Sequence, residues 1–104
     1  MTTTSSVTVS FVARLVAKQE AAEEVSAFLA GAVDLANQEA GTTAWFALRT
    51  DEVTFWIVDA FPTEDERQAH IDGPIAKALL ENAERLLAEA PEIMPAEVLA
   101  AKLP

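Results

Sequence analysis

His70 is the only histidine among 104 residues, and it lies in the segment Arg67-Gln68-Ala69-His70-Ile71-Asp72-Gly73-Pro74. Imidazole is the side chain whose ordinary pKa, roughly 6.5, lets it give or take a proton near neutrality, so His70 is the natural general acid or base. Glu66 precedes it by four positions, where a helix would bring the two together and let the carboxylate orient the ring. The plainer alternative is a surface histidine in an acidic helix, or one bonding its own backbone at a helix end. Arg14 and Arg49 fall inside predicted strands. Facing a cavity they would hold a phenolate, enolate or carboxylate; otherwise they lie at solvated edges or pair with Asp59 or Asp51. Trp45 and Trp56 sit in alternating aromatic and β-branched runs that either line a pocket for a flat ligand or belong to core or interface.

Other chemistries lack their residues. There is no cysteine, which excludes a thiolate nucleophile, a disulfide framework and Cys-based metal sites, and no tyrosine to serve as acid or radical. No Gly-rich phosphate loop and no His-rich metal constellation is present, and the serines are remote from His70 in sequence. A formal net charge of −10 makes nucleic acid and anionic membrane surfaces poor partners. The opening Met1-Thr2-Thr3-Thr4-Ser5-Ser6 has neither the basic nor the apolar part of a signal peptide, and no apolar run approaches the ~20 residues that span a bilayer. The expectation is a cytoplasmic protein with a disordered leader over residues 1–6 and one domain over 7–104.

The elements that must position these side chains follow from periodicity. Val7 to Val16 alternates as a strand with Val7, Val9, Phe11, Ala13 and Leu15 on one face. From Glu20 to Gln38 the apolar residues recur at three and four, which predicts an amphipathic helix closed by Gly41 in the left-handed conformation. Thr42–Thr50 and Val53–Phe61 read as a hairpin whose Asp51-Glu52 turn lacks the favoured Asn-Gly or Asp-Gly pair. Thr63-Glu-Asp-Glu is a capping box opening a short helix to Asp72, Pro74 starts a second helix reaching toward Pro91, and residues 96–103 read as a last strand. The order is βαββαβ: an α+β, ferredoxin-like fold with one antiparallel sheet. Its second face carries enough aromatic area to require a partner.

Val12-Ala-Arg-Leu-Val-Ala-Lys18 in the first strand, Glu39-Ala-Gly-Thr42 after the helix, Trp56-Ile-Val-Asp-Ala-Phe61 closing the strand pair and Ala69-His-Ile-Asp-Gly-Pro74 together resemble the antibiotic biosynthesis monooxygenase-like family over residues 7–104. The resemblance implies ferredoxin-like chains pairing their sheets into a dimeric α/β barrel, often with an exchanged C-terminal strand. It implies a cofactor-independent monooxygenase that oxidises a planar phenolic, anthrone-type or quinol molecule with dioxygen, using no metal, flavin or haem. His70 would be the base and Arg49 the catalytic cation, with Arg14, Trp45, Trp56 and Phe61 binding the small aromatic or apolar ligand. Haem degradation is disfavoured, because Ala13 stands about where that branch carries asparagine. The alternatives are a homodimer that binds such a molecule without catalysis, and an isomerase or cyclase sharing the base but consuming no oxygen.

Overall fold

The computed structural model describes residues 6–104, so the expected leader lies, apart from Ser6, outside the described residues. Strand β1 (Val9–Val16) leads through a 3-10 turn (Gln19–Ala21) into helix α1 (Ala22–Asn37). The hairpin β2 (Ala44–Arg49) and β3 (Thr54–Ala60) follows, then helices α2 (Glu64–Ile71) and α3 (Pro74–Leu86) and strand β4 (Glu92–Glu97). The sheet order is β2-β3-β1-β4, and every neighbouring pair is antiparallel. β3 separates β1 from β2, and β1 separates β3 from β4, which is the split βαβ pattern of the ferredoxin-like fold used twice.

Alternation decides which face is covered. Ala13, Leu15, Phe55 and Ile57 point to one side of the sheet and pack against Val25 and Leu29 of α1 and Leu79 and Leu86 of α3. A smaller cluster of Ala32, Ala36 and Ile75, with Leu35 and Trp45 against it, continues this core toward the end of α1. The other side carries Phe46, Val58, Val12 and Met94 in one row across all four strands, each the register partner of the next. Nothing among the described residues covers that row: Phe46 is 57% and Met94 42% exposed, with Leu48 beside them at 48%.

Local chemistry sets the boundaries. Asp51 closes the hairpin, since its Oδ1 accepts the Val53 and Thr54 amides at 3.0 and 2.9 Å and so replaces the missing Asn-Gly pair. The bond from Val53 holds the Asp51 carboxyl below its ordinary pKa. Thr63 caps α2 by accepting the Glu66 amide, and Pro74 occupies the first turn of α3 behind Gly73. α3 stops at Leu86 rather than near Pro91, because Leu87 turns extended, is buried, and bridges Ala17 of the first crossover.

Two further expectations are corrected. Gly41 does not take a left-handed backbone; no glycine among the described residues does. It is needed for room, since a Cβ there would lie 2.8 Å from Glu66 Cγ. The last strand is β4, earlier than residues 96–103, and it includes Pro95. Proline is tolerated because β4 is a sheet edge. β4 pairs with β1 of its own chain, Val98 adds an N–H bond to Thr8 O at 2.9 Å, and Leu99 beyond it is exposed.

Candidate functional site

His70 is buried, only 6% exposed, on the face of α2 turned toward the sheet. Its Nδ1 meets Glu39 Oε1 at 2.5 Å and its Nε2 lies 3.3 Å from Asp59 Oδ2. Glu39 comes from the turn after α1 and is steadied by the Thr42 hydroxyl, which donates to Oε1 at 2.8 Å. Asp59 comes from β3 at a break in the ladder: the β1–β3 pairing lapses between Val12–Val58 and Val9–Phe61, and the Phe11 amide donates instead to Asp59 Oδ1 at 2.8 Å. Phe61 packs on the imidazole with ring centroids 5.1 Å apart, and Phe11 meets Phe61 edge-on. Burial alone would pull the His70 pKa down. Hydrogen bonds to Asp59 and Glu39, reinforced by their charges, outweigh it and raise the pKa above the ordinary imidazole value. An imidazolium between two carboxylates leaves the group with a formal charge of −1. Glu39 Oε2 is buried with no hydrogen-bond partner among the described residues.

A cavity of about 350 Å³ opens beside this group. Its wall is small and apolar at Ala40, Gly41, Ala69, Gly73 and Pro74, and polar at Glu39, Thr42, Glu66 and His70. That volume falls at the lower end of small-molecule sites, about 300–1,000 Å³. No lysine or arginine lines it.

The other residues expected to take part are not all brought here. Phe61 is, though wholly buried behind the ring. Glu66 is on the cavity wall but hydrogen-bonds Thr63; the partners that orient His70 are Glu39 and Asp59. Trp45 pairs with Asp59 in register and is core, with its indole N–H buried and unpartnered. Trp56 pairs with Leu48 and Arg14, so it lies on the uncovered side of the sheet and cannot share a wall with Trp45. Its indole N–H donates to Thr50 Oγ1 at 2.9 Å. Arg14 is on that same outer side, held by Glu89 and Glu92. Arg49 lies over Phe55 at the hairpin end, bonded to Glu23 and to the Glu52 carbonyl, four residues and so roughly 13 Å along β2 from Trp45.

No family model matches the sequence, and no curated protein matches it. Solved structures do. A protein of unknown function from Nitrosomonas europaea, NE2512, is 48% identical, with 95% of this chain and 96% of that chain aligned at a TM-score of 0.92. The two chains belong to one family, built on the antibiotic biosynthesis monooxygenase-like fold. Two more distant neighbours, each described as a "putative antibiotic biosynthesis monooxygenase", share that fold. One, from Nitrosomonas europaea, is 14% identical, covers 94% of this chain and 96% of its own, and has a TM-score of 0.79. The other, from Bacteroides thetaiotaomicron, is 21% identical, covers 94% and 95%, and has a TM-score of 0.75.

In this antibiotic biosynthesis monooxygenase-like chain, sequence reasoning found His70 and missed both of its partners. Asp59 carried a signal: it falls on the inward alternation Phe55, Ile57, Asp59, Phe61, where a carboxylate is out of place unless something pairs with it. Glu39 carried none, sitting in a polar run after the helix. Among the described residues no group of three or more His, Cys, Asp or Glu side chains is arranged to hold a metal ion, and no helix is long and apolar enough to cross a membrane.

Proposed function

We propose that the protein is a monooxygenase acting on a planar phenolic, anthrone-type or quinol molecule, with the cavity at His70 as its site and a homodimer as its working form. The observation that carries this reading is the single buried imidazole, held by two carboxylates at the wall of a small-molecule-sized cavity. In its neutral form His70 accepts the proton of the substrate O–H, and the positive charge formed is met at once by Glu39 and Asp59. The electron-rich anion then gives one electron to dioxygen. The radical pair combines at the ring carbon to form a C–O bond, a proton makes the hydroperoxide, and loss of the remaining C–H proton with O–O cleavage leaves a carbonyl and one water. The substrate supplies all the electrons, so a methylene compound and dioxygen become a ketone and water. A positioned base of this kind contributes about 10²–10⁴-fold in rate. The homodimer reading is supported by the uncovered row of Phe46, Val58, Val12 and Met94, an apolar face that a second sheet would bury.

The test is oxygen consumption with anthrone and naphthoquinol substrates without added metal, flavin or haem, comparing the natural chain with His70→Gln. Substrate-dependent uptake that falls about 100-fold in the variant supports the base. Undiminished uptake removes His70 from the chemistry. A second reading, binding without turnover, is favoured by the occupation of both ring nitrogens, and tight binding without any oxygen uptake selects it.

A further inference from the structure

The cavity's charges go beyond that reading, on which this inference rests, to the form in which a ligand enters. Three ionisable side chains line it, Glu39, Glu66 and His70, with Asp59 directly behind the ring. Three of these four groups are acids, and the one cation is already shared between two of them. The arginines expected to receive an anion are committed elsewhere: Arg14 to Glu89 and Glu92, Arg49 to Glu23. Arg67, which lies on α2 beside this region, gives its guanidinium to the Ser10 and Ala96 carbonyls and to Glu64. An anionic group in the cavity would therefore meet uncompensated negative charge at low dielectric. A hydrogen-bond donor meets the opposite situation. Glu39 Oε2 is a carboxylate oxygen without a partner among the described residues, and it sits so close under Gly73 that a Cβ there would approach it to 3.4 Å. The rest of the wall, Ala40, Ala69, Gly73 and Pro74, offers nothing to solvate an ammonium ion.

We infer that the cavity selects an uncharged hydroxyl donor, a phenol or enol still carrying its proton, which bonds to the free oxygen of Glu39, and that it turns away carboxylate and phenolate forms of the same ring. The ligand brings its proton in with it, and ionisation belongs to the bound state.

Three probes with one ring system test this by anaerobic equilibrium dialysis at pH 7 and low salt: 1-naphthol, 1-naphthoate and 1-naphthylmethylammonium. Naphthol binding about tenfold or more tighter than both others is expected, the size of one hydrogen bond to a charged acceptor. Naphthoate binding as well as naphthol, a preference for the ammonium, or no binding by any of the three overturns the inference. Glu39→Gln should lose about tenfold in naphthol affinity and narrow the gap to naphthoate. Should that variant fail to fold, Glu66→Gln removes a wall charge while keeping a residue suited to the capping box, and it should ease naphthoate entry several-fold; an unchanged gap in a folded Glu66→Gln overturns the charge argument. Because dioxygen is absent, these results stand apart from turnover: selective naphthol binding with no oxidation in air defeats the monooxygenase reading and leaves this one intact.

Discussion

The proton on His70 is held by three residues, and that couples stability to activity with opposite signs. Because the folded pKa is raised, the imidazolium's contribution to stability is fully present below the ordinary value of roughly 6.5 and is lost as pH rises through the higher folded value. Melting temperature should therefore be level on the acid side of neutrality and decline on the alkaline side, and His70→Gln should flatten that decline. Turnover requires the neutral ring, so it should climb over the window in which stability falls, with its midpoint above 6.5 rather than at the ordinary imidazole value. A rate profile and a set of melting curves over the same buffers check both halves. Deleting the ring altogether differs from replacing it by an amide. His70→Ala leaves Asp59 and Glu39 facing a void as unpaired buried acids, and a destabilisation of roughly 3–5 kcal/mol is expected in urea titration.

At the scale of elements, the site depends on α2 lying close against the turn after α1, and Gly41 is what allows it. Gly41→Ala puts a methyl 2.8 Å from Glu66 Cγ and 3.0 Å from its Cβ, so α2 or the turn must shift. A cost of about 1–3 kcal/mol is expected from such overpacking, read as a lowered denaturation midpoint, and ligand affinity should fall with it because Glu39 sits two residues away. The elements themselves were legible in the chain. Val9 to Val16, the stripe of α1, the capping box at Thr63 and Pro74 at the start of α3 each stated their type through period or capping chemistry. Their meeting points were not legible. Glu39 reaches His70 across 31 positions through a turn whose course no local pattern encodes, and Trp45 and Trp56, both plausible for one aromatic wall, are parted because β2 and β3 register them on opposite sides of the sheet. Gly41 was read for its backbone freedom when its missing side chain was what mattered.

For the molecule as a whole, one side of the sheet is finished by helices and the other is bare. Leu48, Trp56 and the row from Phe46 to Met94 form the surface on which the proposed homodimer would close, and two-fold symmetry would present every substitution there twice. Phe46→Glu should shift the chain to monomer in equilibrium sedimentation at low micromolar concentration while leaving ligand binding at His70 in place; a natural chain that is already a stable monomer there removes the dimer. The edges of the sheet behave differently from its face. Phe11 turns its amide toward β3, where Asp59 takes it, so Pro95 opposite Phe11 turns its own nitrogen away from β1 and out to the free border. A nitrogen without hydrogen cannot template an incoming strand. Growth of this sheet into a filament is thus blocked at β4, and Pro95→Thr, which restores the missing donor, should shorten the lag before thioflavin-positive fibrils form under mild heating.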